Sequence, residues 1–138
     1  MSFTFFTDRN LGHKFPHILR AAGLHVEEHD DHFGPTTSDV EWIAEVAARN
    51  WISVSRDERI RYKPNERAAV FAAELGLVLV IGNATHPELA DNFVRTIGPI
   101  TNFLSRQRAP FIAKVYRPSP KDIARNPQAP GRIDLWLD

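Results

Sequence analysis

The sequence has no cysteine. Disulfides, thiolate metal sites and a cysteine nucleophile are excluded, and the absence fits a reducing compartment. It also lacks a surplus of either charge, with 17 Lys and Arg against 17 Asp and Glu. No global field draws the chain to nucleic acid, so any RNA contact must come from a local basic patch. The longest apolar stretch, around 77–81, is far below the length that crosses a bilayer. MSFTFFTDRN at the N-terminus has neither a basic segment nor a long apolar run, so the expectation is a cytoplasmic protein. A Gly-rich phosphate loop, a Walker motif and a G-x-S-x-G elbow are all missing. Nucleoside triphosphatase and serine hydrolase chemistries therefore have no support.

What is present suits one soluble domain: 138 residues, 43% of them hydrophobic and 25% charged. Residues 3–6 form an aromatic strand that stops at Thr7-Asp8. Residues 13–22 read as a helix, with Pro16 in its first turn and Gly23 after its end. A second strand, 24–28, leads into a polar loop, 29–38. Ser38 and Glu41 have the spacing of a capping box and open a helix that stops near Asn50. The third strand, 51–54, ends at Ser55-Arg56-Asp57. A basic loop, 58–64, precedes a helix over 65–75 that Gly76 closes. The all-aliphatic 77–81 suits a central strand buried on both faces. A long helical region, 87–104, is kinked at Gly98-Pro99, and 111–116 alternates as a fifth strand. Residues 1–117 thus form one α/β domain. Residues 118–138 are expected as a proline-rich arm, not a second domain, whose apolar end docks on the body or on a partner. The alternation of strand and helix predicts a doubly wound α/β fold with its site beyond the carboxyl ends of the strands.

Acidic residues gather at those ends. Asp8 follows the first strand, Asp30 and Asp31 the second, and Asp57 the third, while Asp39 and Glu41 open a helix leaving the same side. Clustered carboxylates repel one another unless a cation sits among them. An oxygen-only donor set selects Mg²⁺ or Mn²⁺, which can activate water and stabilise a leaving oxygen. Each acid also has a plainer use. Aspartates form turns after strands, Glu41 can complete a capping box, and Asp39 complements a helix dipole. Joint placement favours the metal reading. His29 and His32 have the separation of a zinc pair, but they fall in the loop, and a solvated polar segment is the better reading. Arg56, Arg59, Arg61, Lys63 and Arg67 cluster just after Asp57, with Tyr62 among them, and could hold phosphates and stack a base.

FFTDRNLG, DDHFGPTTSDVEWIAE and WISVSRDERIRYKPNERAA, in that order, resemble the PIN-like toxins of VapBC type. The resemblance runs over residues 3–81 and lies within the branch carrying an asparagine–leucine motif after the first aspartate. It implies a three-layer α/β/α sandwich around a mostly parallel sheet, and a Mg²⁺ or Mn²⁺ site of three or four acids. It carries over Asp8, Asp39 and Asp57 as metal ligands, with Glu41 as the alternative to Asp39. Ser55 stands where the family usually has threonine, and Glu58 is the nearest candidate for a fourth acid. Asn10 of the asparagine–leucine motif joins Arg56, Arg59, Arg61 and Lys63 as expected substrate contacts. The expected activity is an endoribonuclease, with RNA and a cognate antitoxin as partners and a homodimer through the arm as the alternative association. The rival reading from another class is a non-catalytic PIN-like module that binds RNA or protein.

Overall fold

The computed structural model describes residues 2–138, the Arg61 side chain excepted. Six strands form one sheet: β1 (Thr4–Thr7), β2 (His25–Glu28), β3 (Ile52–Ser55), β4 (Gly76–Val80), β5 (Phe111–Tyr116) and β6 (Arg132–Leu137). The spatial order is β2-β1-β3-β4-β5-β6, all parallel except β6, which runs antiparallel to β5. The helices are α1 (Lys14–Ala21), α2 (His29–His32), α3 (Asp39–Ala48), α4 (Pro64–Ala72), α5 (His86–Arg95), α6 (Ile97–Arg106) and α7 (Pro120–Arg125). None of them is long and apolar enough to cross a membrane.

The two-residue period of a strand sends alternate side chains to opposite faces. Phe5, Val78, Val80, Phe111 and Ala113 join Phe15, Leu19, Leu89, Phe93, Ile100 and Leu104 in one core, beneath α1, α5 and α6. Phe6, Leu77, Leu79 and Ile112 join Trp42, Ile43, Val46 and Val70 in the other, beneath α3 and α4. The result is the expected three-layer α/β/α sandwich. β4 is buried at every position, as its unbroken aliphatic run requires.

Several local expectations differ from the structure. The segment expected as a polar loop contains the single turn α2, and the basic loop is a 3₁₀ turn over Glu58–Tyr62. The long helical region is two helices that part at Thr96, upstream of Gly98-Pro99. The Thr96 hydroxyl donates to the Asn92 carbonyl at 2.6 Å there, and Pro99 sits harmlessly in the first turn of α6. Gly76 does not close α4, which ends earlier and turns through Glu74 at φ 60°. Gly76 is instead the first residue of β4, where a side chain would press into the Phe111 ring at 2.8 Å.

The tail differs most. It carries α7 and ends as β6, which pairs with β5 from Tyr116↔Arg132 to Ile112↔Leu137. Its apolar end thus docks on the body, one of the two courses expected of it, with Ile133, Trp136 and Leu137 half-buried and Leu135 exposed. Gly131 is the pin. Its amide donates to the Thr96 hydroxyl at 2.9 Å, beside Asn92, whose side chain donates to the Tyr116 carbonyl at 3.2 Å. A methyl at Gly131 would collide with that same carbonyl oxygen. Gly131→Ala should therefore lower stability by about 2–3 kcal/mol, the scale of forced overpacking. Urea denaturation checks this, and an unchanged midpoint would mean that the tail contributes nothing to the fold.

Candidate active site

The strand order creates a crevice. The chain leaves β1 toward β2 on one side, then crosses to place β3 on the other side of β1. Loops after β1 and β3 therefore diverge, and the gap between them is where α/β folds bind ligands. Asp8 follows β1, and Ser55-Arg56-Asp57 closes and follows β3. The two strand ends are stitched together. The Asp8 amide donates to the Val54 carbonyl at 2.9 Å. The Asn10 side chain donates to the Ser55 hydroxyl at 2.9 Å and accepts from the Arg56 amide at 3.2 Å. Asn10, expected to touch substrate, lines the cleft and also bolts the two loops together.

A cleft of about 520 Å³ opens at this point. Asp8, Asp39, Asp57, Asp30 and Glu66 line it, over a floor that includes Trp42, Ile60, Leu77 and Leu79. The structure thus brings Asp8, Asp39 and Asp57 together from three separate segments. It adds Glu66 from the first turn of α4, which the sequence reading passed over in favour of the exposed Glu58. Glu41 is not among them. It lines a separate surface hollow with His32, Phe33 and Arg49. Two residues along a helix turn a side chain by about 200°, so Asp39 and Glu41 cannot both face the cleft.

Each acid is held differently. Asp8 accepts from the Arg9 amide at 2.7 Å and from the Ser55 hydroxyl at 3.2 Å. Burial nonetheless raises its carboxyl above the ordinary range, and the nearby charge of Asp39 adds to this. Asp39, capped in place by Ser38, accepts from the Trp42 indole at 2.8 Å. Burial pushes it upward, but hydrogen bonds from Glu66 and Trp42 and the charge of Lys63 prevail and hold it low. Glu66 shows the complementary effect. Burial, and then its bond to Asp39, push it up to about 7. Below about pH 7 the proton of the pair favours Glu66, the more basic of the two. Asp57 is held low, first by the Arg59 side chain, with Lys63 contributing. The Arg59 Nε lies 2.9 Å from its Oδ1 and the Lys63 Nζ 3.3 Å from its Oδ2.

The donor set is all oxygen, and burial first, with the charge of Asp39 adding to it, raises Asp8 and Glu66. Such a donor set is the chemistry that hard cations take. Among the described residues, however, no three Asp, Glu or His side chains already stand close enough to hold an ion. Asp57 faces Arg59 and Lys63, and Asp39 faces Glu66, so the carboxylates point at their own partners.

The basic residues divide as well. Arg56 donates to the carbonyls of Gly82 and Ala84 at 3.5 and 3.2 Å, which ties β3 to the loop after β4. Arg59 and Lys63 are paired with acids, and the Arg61 side chain lies outside the described residues. Tyr62 is 76% exposed, as a stacking platform requires. Arg9, unremarked in the sequence, lines the cleft and pairs with Asp30 at 3.1 Å. His29 and His32 diverge. His29 is buried against Phe6, Phe33 and Trp42, and His32 turns to Glu27 at 3.2 Å.

A family model described as a PIN like domain matches residues 3–82, more than half of the chain and the whole stretch that supplies these acids. No curated protein and no solved structure matches it.

The shared proton has a consequence for stability. Glu66 keeps its proton in the fold up to about pH 7, whereas an ordinary glutamate releases it near 4.5. The stability it contributes is complete below the lower value and lost as pH rises through the upper one. Glu66→Gln keeps a donor to Asp39 without the titration. Relative to the parent, its melting temperature should rise by roughly 3–5 °C between pH 5 and pH 8. Thermal melts at several pH values check this, and parallel curves would contradict the shared proton.

Proposed function

The chain belongs to the PIN-like domain family, and on that premise we propose that it is an endoribonuclease that uses Mg²⁺ or Mn²⁺ to hydrolyse RNA phosphodiesters. We further propose that it acts in the cytoplasm as the toxin of a VapBC-type pair, restrained by a cognate antitoxin. One observation carries the reading: Asp8, Asp39, Asp57 and Glu66, from four separate segments, line one cleft at the switch point of the sheet. Asp8 and Asp57 also cap the turns that follow them, whereas Asp39 and Glu66 meet across the cleft from the first turns of two helices.

Asp8, Asp39, Asp57 and Glu66 would hold the ion. When bound, the ion supplies Lewis-acid activation of water and stabilises the leaving oxygen. The protein's own part follows from its geometry. The Arg9 amide and the Ser55 hydroxyl fix the Asp8 carboxylate in advance, so little reorganisation is needed at the reaction. Glu66, pushed up to about 7 without an ion, would give up its proton as the ion binds, so ion and proton compete for the same oxygens. Arg9 and Arg59, at the mouth, attract the phosphates flanking the scissile bond. The apolar floor keeps the local dielectric low, which strengthens each of these interactions.

One observation favours the rival binding-module reading: Asp57 and Glu66 are already engaged with cationic side chains. Labelled RNA incubated with the protein separates the two. Cleavage should require Mn²⁺ or Mg²⁺ and stop with chelator. Asp57→Asn and Asp8→Asn should each lower the rate by about a hundredfold or more, the loss expected of a preorganised electrostatic element, with melting temperatures retained. RNA that is bound but left intact in the presence of the metal would identify a non-catalytic module.

A further inference from the structure

Lys63 occupies an unusual place. It lies between the 3₁₀ turn Glu58–Tyr62 and α4, and Pro64 follows it. Lys63 has φ −117° and ψ 80°, outside the helical region that a following proline disfavours. Its side chain reaches back over the acids. Its ammonium lies 3.3 Å from Asp57 Oδ2 and 3.5 Å from Glu66 Oε1, so it bridges two acids from different elements. Its charge also acts on Asp39. The side chain is 35% exposed, and the two carboxylates it joins are 22% and 23% exposed. This is a partly sheltered contact, not a loose surface pair.

Resting on the metal-dependent reading above, we propose that Lys63 is the resident counter-cation of the cleft: its ammonium bridges Asp57 and Glu66, and a divalent ion must displace it to bind. The same oxygens cannot serve both. Lysine suits such a role, because its ammonium is a single compact charge on a flexible stem. An arginine would hold the carboxylate by a planar fork and release it less readily. The arrangement accounts for the absence of three converged ligands among the described residues: Arg59 forks both oxygens of Asp57, at 2.9 and 3.3 Å, and Lys63 adds a contact to Oδ2 and ties it to Glu66. It also gives Lys63 two positions. Inside, it neutralises the empty acids. Displaced, it stands at the mouth beside Arg59, where a phosphate would meet it. Metal and phosphate then favour each other's binding without touching.

The test is calorimetric titration of Mn²⁺ into the full chain without RNA, for the parent, Lys63→Met, Lys63→Arg and Asp8→Asn. Lys63→Met should bind Mn²⁺ about tenfold more tightly, because a competing charge has left a partly screened site. Lys63→Arg should stay within about threefold of the parent or bind more weakly, since the charge is kept. The metal-free Lys63→Met protein should melt below the parent and gain more from saturating Mn²⁺. Lys63→Gln, read in the same way, replaces Lys63→Met if that variant does not fold. If the parent binds Mn²⁺ and Asp8→Asn does not, while removal of the lysine charge leaves affinity equal or weaker, the inference about Lys63 is overturned and the metal site stands. If no protein binds Mn²⁺, or Asp8→Asn binds as the parent does, the metal reading fails and takes the inference with it.

Discussion

Carboxylates brought together in a half-dry cleft repel one another, and much else in this structure answers that constraint. Two like charges about 4 Å apart cost about 4 kcal/mol at an effective dielectric of 20. That is a large share of the roughly 5–15 kcal/mol that holds a domain of this size together. The protein relieves the repulsion in three ways. Asp8 is met by a backbone amide and a hydroxyl. Asp39 and Glu66 share a proton. Asp57 is met by Arg59 and Lys63. Each device is reversible, so the acids are free to turn toward a cation that offers more.

The fold tolerates this arrangement because the load lies elsewhere. Two separate cores, drawn from alternate residues of the same strands, secure the sheet on both faces. Asn10 and Ser55 then lock the ends of β1 and β3 to each other, which fixes the mouth of the cleft. Gly131 and Thr96 fasten the tail along the far edge, where β6 covers β5. The acids can remain mutually repulsive at one end of the sheet because the rest of the molecule does not depend on them.

Much of this was legible in the sequence. An aromatic run stopping at aspartate and an aliphatic run of strand length both located strands, and Ser38 located a helix start. Placing Asp8, Asp39 and Asp57 after strand ends and at a helix start was sufficient to bring them to one side. The failures share a cause: local pattern does not report direction or distance. Glu66 is not legible beside Asp57, because the chain supplies it from the helix that Pro64 opens. Arg56 sits in a basic run, yet its guanidinium turns inward to two carbonyls. Glu41 shares a helix turn with Asp39 and faces another way. The tail looked like an arm because its prolines dominate 118–130, whereas its strand pairing depends on β5, a contact invisible to any local window.

The central claim is that these four acids form one site for a hard cation. Anomalous scattering from Mn²⁺ in crystals of the protein tests it most directly. A peak is expected in the cleft, within ligand distance of carboxylate oxygens of Asp8, Asp39, Asp57 and Glu66, with the Lys63 ammonium moved away from Asp57 and Glu66. A cleft without a peak at saturating Mn²⁺, the four acids still bound to their present partners, would contradict it.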